Sequence, residues 1–486
     1  MIKKLFCIFL IINFSVILFC QENTSTTNLN SENNSNDKKT EKVFSLEDLS
    51  NQLKNNNSEL KILNQEYQQS LIDVKNAKAG LGPTVDLTVS GTYFLNPPID
   101  SIVLNVDDIL NAISWPESYS PTQTGQYITL FDGMENTFYS FQLDVTQPIY
   151  TWGKLKTAIK LYEKISEVKL LQISSKEKQL QTELNTRIIS LFYLLQIDNL
   201  LKVQNKNASR LVQISEDAKK NGLLLEQDVL EAKINAQQIN ILQQEIKEQF
   251  FNLLLSIQKM TGNQNLVLEE INFSPDENIF YDFAKRDRNQ LLEKALDTSQ
   301  ESFTILENLK QISEYSTQIA QASVYWKPDF ALKMSLGYGG SRFPFIEKDW
   351  FRQDDYTTNF TVALKTTVWD GGKKINEIKK SQSKEETATI NYEDAVISIK
   401  QKLQEQFNII DLALSKIEYQ KLKIETLDSK IKQQEQLFNS GYGSEKDLLQ
   451  AKIDRNTAEI ELVQNKLSLA GACSTAAFIC GEKLFF

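Results

Sequence analysis

Two stretches of this chain repeat each other, and the repeat governs what the chain can fold into. Asn221-Gly222-Leu223-Leu224-Leu225-Glu226-Gln227-Asp228-Val229-Leu230-Glu231-Ala232-Lys233-Ile234 returns as Ser440-Gly441-Tyr442-Gly443-Ser444-Glu445-Lys446-Asp447-Leu448-Leu449-Gln450-Ala451-Lys452-Ile453. Gly, Asp, Leu, Ala, Lys and Ile recur at fixed places, 219 positions apart (Gly222 to Gly441). The same offset pairs Phe141 with Phe360, Leu143 with Val362, Gly153 with Gly372 and Gly262 with Gly481, so the copies run without a gap over that stretch. Upstream, Pro83 to Leu87 resembles Pro328 to Leu332 at an offset of 245, which also pairs Tyr93 with Tyr338. The first copy therefore holds 26 extra positions (245 − 219) between Tyr93 and Phe141. That stretch carries Pro97, Pro98, Pro116 and Pro121 and reads as a long loop.

Each copy reads helix, strand, loop, strand, long helix, turn, helix. The strands are expected at about 84–94 and 138–148, and again at about 329–338 and 359–368, because apolar and polar residues alternate there. Val85, Leu87, Val89 and Tyr93 fall on one face, and Asp86, Thr88, Ser90 and Thr92 on the other. Each run is near the ~10 residues of a membrane β-strand with lipid on one side and water on the other. From Lys154 to Lys220, and again from Lys373 to Asn439, there is no Pro and no Gly. At 1.5 Å per residue each stretch makes a helix of roughly 100 Å. No small domain encloses such helices, so they are expected to pack side by side as coiled coils.

The ends divide accordingly. Lys3 and Lys4 followed by the apolar run Leu5 to Leu18 read as a signal peptide over 1–20. Cys20 is either the residue before cleavage or a lipidated N-terminus, although Phe19 stands where a lipoprotein signal wants a small residue. Residues 21–42, rich in Asn, Ser and Thr, read as disordered. The first repeat is placed at 43–262, an irregular linker or equatorial segment at 263–290, and the second repeat at 291–486. Cys473 and Cys480, seven apart on one expected helix, are too far apart for a disulfide and read as small buried residues.

Composition narrows the function. The net charge of −10 gives no basic surface for nucleic acid, and the absence of His removes the commonest general base and metal ligand. No nucleophile–base pair, metal cluster or phosphate loop stands out, so neither catalysis nor a cofactor is expected. After Cys20 no apolar run approaches the ~18 residues of a spanning helix, which leaves a membrane barrel as the way to cross a bilayer. Four strands do not close a barrel; a dimer would supply eight and a trimer twelve.

The paired strands, the Trp369-Asp370-Gly371-Gly372 exit into a long helix and the Gly-x-x-x-x-x-Asp-Leu-Leu-x-Ala turn (Gly441 to Ala451) resemble the TolC-type outer-membrane efflux proteins. The resemblance runs from about Phe44 to Phe486. It implies a homotrimer whose twelve-stranded barrel sits in outer-membrane lipid and continues as a helical tunnel, an α-barrel, into the periplasm. It implies a periplasmic adaptor, an inner-membrane pump of RND or ABC type, and export by tripartite efflux or type I secretion.

It also implies site residues. The tip turns, with Gly222, Asp228, Gly441 and Asp447, would form the periplasmic gate and the adaptor-docking surface. Phe438 would take a gate-tethering aromatic position, a buried helix contact being the plainer reading. Gln450 stands where the family carries a further Asp. Rings of Asp228 and Asp447 would favour cations, while the same residues suit a helix N-terminus without any gate. Tyr150, Trp152, Trp326 and Trp369 cluster at strand–helix junctions, where a membrane-interface girdle or simple junction packing would place them. The competing reading is a secreted periplasmic or surface coiled-coil protein, which accounts for the helices and not for four alternating strands at matched positions.

Overall fold

The computed structural model describes residues 44–271, 274–297, 300–341 and 356–484. The expected signal peptide, Cys20 and the segment 21–42 lie outside the described residues.

The chain opens with helices α1 (Leu46–Asn56) and α2 (Ser58–Ala79) and enters strand β1 (Thr84–Tyr93). The insertion follows, and then strand β4 (Thr137–Tyr150) leads into the long helix α4 (Lys154–Lys220) and the returning α5 (Glu226–Thr261). The second half runs through α8 (Glu301–Ala322), β5 (Asp329–Gly340), β6 (Tyr356–Lys365), α9 (Lys373–Asn439) and α10 (Glu445–Ile479). Helices α4 and α9 have the same length, 67 residues. Each starts after a glycine in the left-handed region, Gly153 at φ 83° and Gly372 at φ 84°, where a side chain would be strained.

Two stretches differ from the sequence reading. The insertion is folded rather than a plain loop: β2 (Ile102–Asn105) pairs with β3 (Tyr127–Phe131) around the short helix α3 (Val106–Ala112). Asp107 fastens it by accepting the amides of Thr124 (2.7 Å) and Gly125 (2.8 Å). The segment 263–290 is likewise not irregular. It carries a 3₁₀ turn (Leu268–Glu270), α6 (Glu277–Ala284) and the start of α7 (Arg288–Ala295), which crosses position 290. The described residues thus hold six strands where four were expected.

One sheet has the order β1-β4-β5-β6, antiparallel throughout. Its register sorts the sides. Val85, Val145, Met334 and Phe360 form one cross-strand row, and Asp86, Asp144, Ser335 and Asn359 the neighbouring one. Successive residues point to opposite faces, so one face is apolar and the other polar. On the polar face Asp144 is matched by Gln142 (3.0 Å), Ser335 (2.5 Å) and Lys333 (3.2 Å).

The helices pack in the lateral order α5-α4-α10-α9, with α2 and α8 against the upper part of α4. One buried core joins α4, α9, α10 and the linker helices through Tyr193, Ile197, Leu403, Phe407, Phe280 and Phe283. The small residues Ala470, Cys473, Ala476 and Ala477 on α10 let the linker approach closely. A second core joins α1, the middle of α4 and the end of α5 through Leu49, Leu53, Leu184 and Ile257. Cys473 and Cys480 are free and buried, as read from the sequence, and burial pushes their thiols up to about 12 and about 11. Among the described residues no helix is long and apolar enough to cross a membrane.

Candidate functional site

The two tip turns share one geometry. At the first, Gly222 (φ 74°) closes α4, donating to Lys219 O (2.9 Å) while Leu223 N–H reaches Ala218 O (2.9 Å). At the second, Gly441 (φ 78°) closes α9, donating to Phe438 O (3.0 Å) while Tyr442 N–H reaches Leu437 O (3.0 Å). This double bond pattern around a left-handed residue satisfies carbonyls that a helix end leaves open.

The returning helices start differently. Ser444 caps α10: Asp447 N–H donates to Ser444 Oγ (3.1 Å), and that hydroxyl donates to Asp447 Oδ2 (2.8 Å). Leu225 holds the matching slot before α5 and offers no acceptor; Asp228 Oδ2 alone accepts the Leu225 amide (3.0 Å). Both aspartates thus engage their helix starts, the geometry of the plainer reading. Gln450 donates to Asp454 Oδ1 (2.9 Å). Phe438 is exposed on the protomer rather than a buried helix contact. Leu223, Leu225 and Tyr442 are also exposed, Tyr442 at 89%, so the tips end in an apolar surface.

One contact that the sequence did not reveal ties the tips together. Arg210 on α4 grips Glu445 at the start of α10 with two bonds, Nε to Oε1 (2.8 Å) and a terminal nitrogen to Oε2 (3.1 Å). The partners are 235 positions apart, so no local spacing pointed to them. Each favours the other's charged form: Arg210 holds the Glu445 carboxyl below its ordinary range, and Glu445 raises Arg210. Other pairs near the tips stay within one hairpin, as with Lys233–Glu216 (2.7 Å) and Lys452–Glu435 (3.0 Å).

The junction residues form two linked groups. Trp152 sits in the left-handed region (φ 54°), rare for a bulky residue, and is held by its indole N–H to Pro328 O (2.9 Å) and by edge-on contact with Tyr150 (5.2 Å between centroids). The matching position in the second half is Gly371, which takes φ 67° without a Cβ. There Asp370 accepts the Tyr325 hydroxyl and the Lys374 amide, which hold its carboxyl below the ordinary range. Trp326 and Trp369 are 74% and 82% exposed on the protomer, so packing within one chain does not account for them. Among the described residues no group of His, Cys, Asp and Glu is arranged to hold a metal.

Residues 287–481 match the family model described as outer membrane efflux protein. The chain carries an outer membrane efflux protein domain. The domain spans β5, β6, α9 and α10, with Trp326, Trp369, Phe438, Gly441, Asp447 and Gln450. No curated protein sequence matches the chain. Its fold is similar over nearly the whole length to solved outer-membrane proteins. The Campylobacter jejuni CmeC outer membrane channel aligns with 14% identity and a TM-score of 0.67, covering 90% of this chain and 85% of that one. The outer membrane protein VceC of Vibrio cholerae aligns with 14% identity and a TM-score of 0.66, over 90% and 97%. The open-state Neisseria gonorrhoeae MtrE outer membrane channel aligns with 11% identity and a TM-score of 0.63, over 90% and 89%. These likenesses show that the fold of these outer-membrane proteins also takes in the first half of the chain.

Proposed function

We propose that three copies of this chain close into a twelve-stranded barrel in the outer membrane and a helical tunnel below it, forming the exit duct of an efflux or secretion assembly. The carrying observation is that the protomer is open at both edges. Among the described residues β1 and β6 each have one strand neighbour, and Val85, Leu87, Phe360 and Val362 on them are exposed. Lipid does not tolerate unpaired strand edges, so the edges must meet other copies. The helical edges agree. Helix α5 presents exposed Leu230, Ile234, Ile241 and Phe251, and α9 presents Ile390, Ile397, Leu412 and Tyr419. A head-to-tail rotation would join β1 to β6 and α5 to α9 in one operation, and such contacts make a ring when the rotation closes. Twelve strands leave a wider lumen than eight, which suits a duct.

In this reading the apolar face of the sheet meets lipid, and Tyr150, Trp152, Trp326 and Trp369 lie at the membrane surface. The tips point into the periplasm and receive an adaptor through Leu223, Leu225, Phe438 and Tyr442. The adaptor links the duct to an RND or ABC pump, which selects the cargo, and the chain itself performs no catalysis. Asp228 and Asp447 repeat three times around the entrance and favour cations there. Opening the entrance requires the Arg210–Glu445 clasp to part.

Single-channel recording of the mature protein in a planar bilayer tests this. Small, cation-selective steps that enlarge in Glu445→Gln are expected. A bilayer that stays silent with wild type and variant alike favours the coiled-coil structural protein instead.

A further inference from the structure

Between α5 and α10, with α4 as its floor, lies a cleft of roughly 600 Å³, within the size range of small-molecule sites. It is built by one chain, so it does not depend on the trimer. The floor is apolar, supplied by Ile197, Leu201, Ala208 and Leu211 of α4 and Ile239 of α5. Ala208 is a small residue in that floor. The charged side chains lining the cleft are all acidic: Glu245, Asp454 and Glu461. Glu461 already takes Gln420 (2.6 Å) and Lys423 (3.4 Å), and Asp454 takes Gln450 (2.9 Å).

Gln204 sits among the floor residues and is only 5% exposed. Its amide donates to Thr457 Oγ1 (3.0 Å), while its carbonyl oxygen has no hydrogen-bond partner. A buried acceptor left unpaired costs about 1–3 kcal/mol, so the site favours a donor. An apolar floor, an unpaired carbonyl and a carboxylate rim together define the ligand they suit: a slim apolar body carrying a protonated amine.

We propose that this cleft binds a small lipophilic ammonium compound, with the apolar part along the α4 floor and the N–H group toward Gln204 and the acidic rim. Occupancy would wedge α5 from α10 along the seam leading down to the tips and so, resting on the duct reading, bias the entrance.

The test uses dansylcadaverine, a fluorescent aromatic primary amine, on the full mature protein in an amphipol, which avoids competition from detergent tails. The expected result is saturable enhancement with one site per chain. The N-acetylated probe, with the same body and no charge, binds at least tenfold more weakly. Ala208→Leu, which fills the floor, and Gln204→Leu, which removes the acceptor at similar volume, each weaken binding at least tenfold while helical content and assembled mass stay unchanged. Non-saturable uptake, equal binding of the neutral probe, or unchanged affinity in both well-folded variants would overturn the proposal.

Discussion

The two tips share a left-handed glycine turn and differ beyond it in backbone path and in how firmly they are fastened. In each, a left-handed glycine ends a 67-residue helix and an aspartate three residues into the next helix supports its start. At the second tip Ser444 adds a true side-chain cap, Gly443 lets the backbone press against α9, and Glu445 is gripped by Arg210. At the first tip Leu224 and Leu225 fill the slots of Gly443 and Ser444, and no side chain caps the helix. A duplicated turn has thus become one loosely fastened apolar tip and one pinned tip. The pinned tip carries the Arg210–Glu445 ion pair, which joins the two hairpins close to their ends.

The largest expected effect follows from Gly443. A Cβ there would lie 2.8 Å from Phe438 N and 2.9 Å from Leu437 C, backbone atoms with no freedom to yield. Gly443→Ala should loosen the second tip by about 2 kcal/mol, the scale of overpacking. Hydrogen exchange over 437–448 reads this, with Leu224→Ala at the first tip as the mild counterpart. Equal exchange in both variants would erase the contrast.

Capping comes next. Ser444→Ala should cost about 1 kcal/mol at the start of α10, and Leu225→Ser should stabilise the start of α5 by a similar amount. Amide exchange at the first turns of the two helices reports both, and a loss in both variants would contradict the account.

Acid should then act on the clasp. Arg210 holds the Glu445 carboxyl below its ordinary value, so the clasp's stabilisation is complete above that value and is lost as pH falls through the lowered one. Channel steps should stay constant from neutral pH into the usual carboxylate range and enlarge only below it. Glu216 is lowered in the same way by Lys233, but that pair lies within one hairpin, and its loss should leave the steps alone. The Lys233→Gln variant checks this.

The smallest effect concerns Asp228 and Asp447. Asp228→Asn and Asp447→Asn should reduce cation selectivity modestly and together, and reversal potentials across a salt gradient measure it. An unchanged potential in the double variant would leave these residues as helix supports only.

Much of this contrast was legible in the sequence, because repetition and periodicity are local signals. The 219-residue offset aligned the tips, and alternation pointed to strands near those of the main sheet, the last of which runs Tyr356–Lys365 rather than 359–368. The features that escaped depend on contacts distant in sequence or on short elements. The β2–β3 hairpin hid among prolines because strands of four or five residues carry little alternation. Helices α6 and α7, eight residues each, are too short to show a period, yet Phe280 and Phe283 of α6 and Leu291 and Ala295 of α7 fix them in the core that holds the alanines of α10. The Arg210–Glu445 clasp joins helices that only the fold brings together. Trp152 was visible as an aromatic, but its left-handed backbone, shared with the equivalent Gly371 and held by the bond to Pro328 O, appears only in the fold.

In the proposed duct one protomer is an incomplete wall that only further copies close. The mass of the mature protein, extracted from membranes in mild detergent and measured by native mass spectrometry, tests it most directly. A particle of three chains that survives dilution is the predicted result, whereas a stable single chain would contradict the account.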